Sequence, residues 1–337
     1  MYFTNFGLRA RPFRTSPDVE SWYPSSTHES ALAELRRGID DDEAILLLQG
    51  ESGTGKSIAA HRLLEELPER FRTVFLTHGS FPDRTCLLQA ILFDLGLPYQ
   101  EMGDQELRLA LTESCLDHFR TNGRTILIVD EAHSLPARLL EELRLLSNLE
   151  GKDGRAVQVV LLGLPGIADV VEQAGLESLR QRLTVCCRLE PFGDEEAADY
   201  LMHQIRRVGG RPEKILGEDV LDILTHASRG IPRLLNQTAH LAFTLAAEAE
   251  SSIVDAEAAV EAINRLGLDT GSEEVANLPM GNDTFPVKPQ APDEEGPTTT
   301  IQMAREDLPP MYIYNGPHSG VVRSIEPTRP VPTSKVG

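Results

Sequence analysis

Gly50-Glu51-Ser52-Gly53-Thr54-Gly55-Lys56-Ser57 fits the pattern G-x-x-x-x-G-K-[ST], and its reading decides the fold. Gly50, Gly53 and Gly55 admit backbone conformations that turn several N–H groups toward one anion. A helix opening at Ser57 adds the positive end of its dipole. Lys56 is placed to reach the β- and γ-phosphates of a nucleotide, and the Ser57 hydroxyl to coordinate Mg²⁺. The whole run, with Glu51, Ser52 and Thr54 as loop positions, is the candidate ATP site. Its context agrees: the apolar run Ile45-Leu46-Leu47-Leu48 precedes it, and the helical stretch 58–67 follows.

Working outward, four further apolar runs resemble Ile45–Leu48. They are Thr73–Thr77, Thr125–Val129, Val157–Leu162 and the weaker Leu183–Cys187. Continuous runs of this length suit strands buried on both faces of a parallel sheet. Helical stretches lie between them; Leu139, Leu140, Leu143, Leu146 and Leu149 share one helical face, behind Ser134 and Pro136 at the expected start. Alternation of this kind predicts an α/β sandwich with right-handed crossovers. The third run ends in Asp130-Glu131-Ala132-His133. A carboxylate at a buried strand end, Asp130, can hold Mg²⁺ through its water shell. The next, Glu131, can polarise an attacking water, which a hydrolase needs and a small-acceptor kinase needs less. His133 makes the tetrad resemble a helicase DEAH box, but a match this short is a weak signal, and a histidine that supports the loop is the preferred reading.

Residues 191–268 change character. Four amphipathic stretches, around Tyr200–Val208, Val220–Leu224, Leu234–Leu245 and Ala259–Leu266, predict a small all-helical domain. Residues 269–337 hold half of the chain's 22 prolines and few periodic hydrophobes, and read as a disordered tail with one apolar cluster, Met311-Tyr312-Ile313-Tyr314. The net charge is −20, which argues against broad phosphate-backbone binding. Basic clusters at Arg9, Arg11 and Arg14, and at Arg206, Arg207 and Arg211, leave a local stripe open. No apolar run is long enough to span a bilayer, and the start of the chain lacks a secretory pattern, so a cytoplasmic location is expected. The 4 cysteines show no metal-ligand spacing; adjacent Cys186 and Cys187 face opposite ways in a strand and read as thiols of a reducing compartment.

These motifs together resemble the AAA+ ATPases, and within them the ExeA/GspA group of general-secretion ATPases. The resemblance covers residues 1 to about 268. Beyond the two nucleotide motifs it rests on Phe6-Gly7-Leu8, Pro12-Phe13, Ser16-Pro17-Asp18, Trp22-Tyr23 and His28-Glu29-Ser30-Ala31-Leu32. It continues through Glu142–Glu150, Leu179-Arg180-Gln181-Arg182-Leu183 and Gly230-Ile231-Pro232-Arg233-Leu234-Leu235-Asn236. MuB- and TniB-like transposition ATPases share this branch. The fold implied is a P-loop NTPase (AAA+) three-layer sandwich followed by a helical lid. Its expected divisions are 1–39 bordering the nucleotide, 40–190 the ATPase domain, 191–268 the lid and 269–337 the tail. Arg182 resembles the arginine finger that enters a neighbour's ATP site, with Arg180 as the second candidate, and Arg233 resembles the lid arginine called sensor 2. The resemblance therefore implies a homo-oligomer, a ring or a filament. Trp22 and Tyr23 border the adenine or pack in the core.

Two departures from the family stand out. Gly163 is followed by Leu164 where the group usually carries a polar sensor 1 residue, and leucine cannot hydrogen-bond a γ-phosphate or its water. Members of the group also continue into a transmembrane helix and a peptidoglycan-binding domain, neither of which is read here; a stand-alone ATPase switch is expected. Three functions compete. The first is an ATPase that assembles or remodels an unknown protein partner in a secretion or envelope system, and the second a DNA-associated regulator of transposition. The third is a non-hydrolysing nucleotide-gated scaffold.

Overall fold

The computed structural model describes residues 2–14, 18–152, 154–171, 176–217 and 219–268. The expected tail at 269–337, with its Met311–Tyr314 cluster, lies outside the described residues. In chain order the elements are α1 (Ser26–Asp40), β1 (Ile45–Gly50), α2 (Lys56–Glu66), β2 (Phe71–Leu76), α3 (Arg84–Asp94), α4 (Asp104–Arg120), β3 (Arg124–Val129) and α5 (Ala137–Leu146). There follow a two-residue-stranded hairpin, β4 (Glu150–Gly151) and β5 (Gly154–Arg155), then β6 (Val157–Gly163), α6 (Ile167–Val171), α7 (Glu177–Arg180) and β7 (Leu183–Leu189). The helical part comprises α8 (Asp194–Arg207), α9 (Pro212–Ile215), α10 (Val220–Ser228), α11 (Pro232–Glu248) and α12 (Ala256–Arg265).

The five long strands form one sheet in the order β2-β3-β6-β1-β7, and every pairing is parallel. All five apolar runs of the sequence are strands of this sheet. Those in β1, β3 and β6 read as unbroken because alternate side chains serve different cores. Leu47, Leu127, Val129, Val159 and Leu161 face α3, α4 and α5, while Leu46, Leu48, Ile126, Ile128, Val160 and Leu162 face α1 and α2. The result is the expected three-layer α/β sandwich. Cys186 is exposed and Cys187 buried on β7.

Helix α5 begins after Pro136, as read, but stops at Leu146. Leu149 therefore packs from the following turn rather than from the helix face.

A third core joins the helices of 191–268. Tyr200, Leu201, Ile205, Leu224, Leu235, Phe243, Ala259 and Ile263 are buried together, whereas Leu266, expected on the same face, is 39% exposed. The beginning of the chain belongs to this core too. Phe6 and Phe13 meet the Phe243 ring edge-on, with centroids 4.9 and 5.3 Å away. The first 39 residues are thus used in three ways. Residues 2–14 pack with the helical core, 21–23 approach the phosphate loop, and α1 covers the sheet.

Candidate active site

In a parallel sheet the C-terminal ends of the strands lie on one edge. Here that edge gathers the loop after β1 and the acidic pair after β3. Gly53 and Gly55 adopt φ of +86° and +100°, in the left-handed region that a side chain disfavours. A Cβ on Gly53 would lie 2.7 Å from Cβ of Arg233, and one on Gly50 would lie 2.8 Å from both Leu189 O and Thr54 Oγ1. The backbone of the loop is therefore a cradle that β-carbons would fill.

Lys56 opens α2 and is buried. Its Nζ donates to the carbonyl oxygens of Gly50 and Glu51, each at 2.9 Å. Burial lowers the Lys56 pKa, and the Glu131 and Asp130 charges act against that shift. Ser57 Oγ donates to Asp130 Oδ2 at 2.5 Å, and the other Asp130 oxygen accepts the Glu131 N–H at 2.8 Å. Among the described residues no cluster of three or more histidine, cysteine or acidic side chains forms a ready metal site. One hydroxyl and one carboxylate suit Mg²⁺ nonetheless, a hard cation that keeps several waters and takes few protein oxygens. The residues present fit an ATP–Mg²⁺ group.

Glu131 sits at φ +51°, with its side chain half in solvent at the mouth of the same pocket. Two neighbours fix it. A Cβ on Gly79, in the loop after β2, would fall 2.3 Å from Glu131 O, so only glycine allows this approach. His133 Nε2 lies 3.4 Å from Glu131 Oε2, and His133 Nδ1 accepts the Leu164 N–H at 3.5 Å. An accepting Nδ1 leaves the proton of the neutral ring on Nε2, facing the carboxylate. Leu164 is thus linked to Glu131 through its backbone and His133, where its own side chain offers no hydrogen bond.

Arg233, in the first turn of α11, donates its backbone N–H to Gly53 O at 3.2 Å and its Nη1 to Ser52 Oγ at 3.1 Å. The helical part therefore closes directly on the loop. The pocket between them is lined by Ser21, Trp22, Tyr23, Phe192, Tyr200 and Asn236 together with Lys56, Ser57, Glu131 and Arg233. Trp22 and Tyr23 each line the pocket and also pack: Trp22 edge-on against His28 at 5.3 Å, Tyr23 against Phe192 at 5.9 Å and Tyr200 at 5.6 Å.

Arg182 is not brought to this place. It directly precedes β7, at the end of the sheet where Ile45 pairs with Leu183, whereas Gly50 pairs with Leu189 at the other end. Seven parallel residues span about 20 Å, beyond a side chain's reach. Arg180 lies in α7, on the same side.

Sequence reasoning passed over three positions that shape the site. Gly79 carries no local signature, and Asn236 stands in the sequence only as the end of the Gly230–Asn236 motif. His28 was quoted only as part of a motif, yet its Nε2 lies 3.0 Å from Thr54 O.

Comparison with known proteins agrees with this geometry. Residues 39–171 match the family model described as an AAA domain. Over 240 residues the chain is 37% identical to general secretion pathway protein A of Aeromonas hydrophila. That alignment covers 70% of this chain and 43% of the relative, so the chain spans less than half of that protein's length. Among solved structures, Cdc6p from Pyrobaculum aerophilum superposes with a TM-score of 0.57 at 19% identity, covering 70% of this chain and 68% of that one. The Drosophila ORC bound to DNA superposes with a TM-score of 0.59 at 18% identity, covering 77% and 64%. These structural likenesses concern the fold. No helix among the described residues is long and apolar enough to cross a membrane.

Proposed function

Because the chain is a GspA-like AAA+ ATPase, we propose that it binds ATP with Mg²⁺ at residues 50–57, hydrolyses it, and uses the cycle to assemble or remodel a protein partner in a secretion or envelope system. One observation carries the reading. Lys56, Ser57, Glu131 and Arg233, from three separate stretches of chain, line one pocket, and Asp130 is held against Ser57. Lys56 and the loop amides bind the β- and γ-phosphates. Ser57 and Asp130 hold the metal, which when bound supplies charge neutralisation at those phosphates. Glu131, held by His133, orients and polarises water. Arg233 offers two donors to γ-phosphate oxygens as charge develops. Arg182, out of reach of its own site, serves a neighbouring copy, so the working form is a ring or filament of this chain.

Lys56→Ala should abolish ATP binding in a fluorescent-nucleotide titration, because alanine leaves the phosphate charge uncompensated. Glu131→Gln should bind ATP and hydrolyse it about 10²-fold or more slowly. Wild-type affinity in the first variant would sink the phosphate-loop assignment, and unchanged turnover in the second would move the water-activating role elsewhere.

The second reading takes DNA as the partner. In its favour, the two basic clusters lie side by side: Arg9 N–H donates to Val208 O at 3.0 Å. Against it, Arg14 pairs with Asp18 at 2.9 Å and Arg206 with Glu213 at 2.8 Å, and the net charge is −20. Salt-dependent DNA binding with ATP present separates the two.

A further inference from the structure

The first turn of α1 sits between the phosphate loop and the helical part. His28, within it, is 3% exposed. Its Nε2 lies 3.0 Å from Thr54 O, and its Nδ1 lies 2.6 Å from Ser25 Oγ. A carbonyl only accepts, so the ring carries its proton on Nε2 and donates it to Thr54. Nδ1 is then an acceptor and takes the Ser25 hydroxyl proton. Ser25 Oγ in turn accepts the His28 backbone N–H at 3.3 Å. A charged ring would donate from both nitrogens and turn the Ser25 hydroxyl to Thr27 Oγ1, 3.4 Å away; burial disfavours that charge, so the neutral ring with its proton on Nε2 is the form held here.

The contact falls on the Thr54–Gly55 peptide, inside the phosphate loop. In a planar trans peptide the carbonyl and the following N–H point in opposite directions. Holding Thr54 C=O toward the imidazole therefore fixes the Gly55 N–H away from it. The ring also presses on the loop, since a Cβ on Gly55 would lie 2.6 Å from Nε2.

The other side of α1 meets the helical part. Glu196, in the first turn of α8, accepts the Ser26 N–H at 2.8 Å and the Ser26 hydroxyl at 3.2 Å. The Phe192 ring, in the connection from β7 to α8, lies 5.7 Å from the His28 ring, and Phe192 N–H donates to Gly230 O at 2.9 Å just before α11. From these contacts we propose that His28 is a positioning residue, which aims the Thr54–Gly55 peptide of the phosphate loop and couples that aim to the helical part through Ser26–Glu196 and Phe192. The proposal rests on the ATP-site reading above.

Two substitutions divide the contacts. Glutamine can place an amide N–H where imidazole Nε2 stands; the amide of asparagine stops near Nδ1 and cannot reach Thr54. In fluorescent-ATP titrations His28→Asn should bind about tenfold more weakly, the size set by one buried hydrogen bond. His28→Gln should stay within about threefold of wild type. A merely structural histidine would instead lower the melting temperature in both variants and leave the affinity of the folded protein unchanged, which overturns the proposal. A readout without nucleotide stands beside this one. In the ¹⁵N spectrum of the free wild-type protein His28 should be neutral, with a slowly exchanging proton on Nε2; a proton on Nδ1 overturns the proposal even if His28→Asn fails to fold. For the coupling, Glu196→Ala alone and combined with His28→Asn should be non-additive in ATP affinity, and strict additivity removes the link to the helical part. If wild-type protein binds ATP no better than Lys56→Ala, the ATP-site reading falls and takes this proposal with it. If wild type binds well and His28→Asn binds equally well, this proposal alone is wrong.

Discussion

Ser57 Oγ and Asp130 Oδ2 are 2.5 Å apart, so the first turn of α2 is tied to the end of β3 across the intervening strand β6. Both oxygens are of the type that Mg²⁺ takes, and each holds the other in place. Replacing either side should therefore cost metal-dependent binding more than fold. Asp130→Asn should weaken ATP binding in Mg²⁺ by about tenfold or more and have little effect on binding measured in EDTA. Equal losses with and without the metal would show that the pair only buttresses the loop.

A second prediction sets two glycines against each other. Gly7 and Gly230 have nearly the same φ, +65° and +69°. A Cβ on Gly7 would meet nothing within 4 Å, whereas one on Gly230 would fall 1.9 Å from Phe192 O. Gly7→Ala should cost only the left-handed strain, about 1 kcal/mol. Gly230→Ala must also break the Phe192–Gly230 hydrogen bond at the connection to the helical part, and should cost about 3 kcal/mol. Denaturant unfolding of both variants checks this; equal losses would mean that the close approach relaxes freely.

The inner strands β1, β3 and β6 were legible in the sequence because burial on both faces leaves few polar positions to interrupt them, whereas the edge strands β2 and β7 alternate with half-buried or exposed residues and read more weakly. The phosphate loop was legible because its chemistry demands glycine, lysine and serine at fixed spacing, and Asp130-Glu131 because a strand must end in charge to present it. What escaped was set by contacts between distant residues. Thr54 lies 26 positions from His28, and no local pattern announces that a ring nitrogen will meet a backbone carbonyl there. Gly79 reads as any loop glycine until Glu131 O is found beside it. The aromatics of 2–14 have no helical or strand period, so their place against Phe243 follows only from the fold. The start of α5 was readable from Pro136; its early end at Leu146 was not, because leucines continue past it.

Acid should loosen the protein before its carboxylates titrate. Burial lowers the pKa of His28, His61, His203 and His240 from the ordinary 6.5. Glu196 and Glu29 beside His28, and Asp130 and Glu65 beside His61, act the other way without reversing the shift. Arg207 and Arg206 near His203, and Arg11 near His240, add to it. Each folded pKa thus lies below the unfolded one. The unfolded chain takes up these protons first as pH falls through about 6.5, and stability declines from there toward the folded values. The melting temperature should fall between pH 7.5 and pH 5.5; a flat profile would show that these rings are not held neutral.

The last prediction concerns how many chains make one site. Arg182 stands at the opposite end of β7 from the phosphate loop, so its guanidinium cannot serve the loop of its own chain. If it acts in a neighbour, each site takes Lys56, Asp130 and Glu131 from one copy and Arg182 from the next. Arg182→Ala should then bind ATP nearly normally and hydrolyse it poorly, since the lost charge stabilisation belongs mainly to the transition state. The loss should be about 10³-fold, as for arginine fingers elsewhere. Mixing Arg182→Ala chains with Glu131→Gln chains separates the geometries. Some interfaces in the mixture pair an intact Glu131 on the first kind of chain with an intact Arg182 on the second. Those interfaces hydrolyse ATP, so the mixture should exceed either variant alone. An arginine acting within its own chain gives no such rescue, because every chain then carries one defect in its own site, and an obligate monomer gives none either. With subunit exchange demonstrated by labelled chains, a mixture as inactive as its components would refute the arginine finger and leave Arg182 a residue of the sheet's far edge.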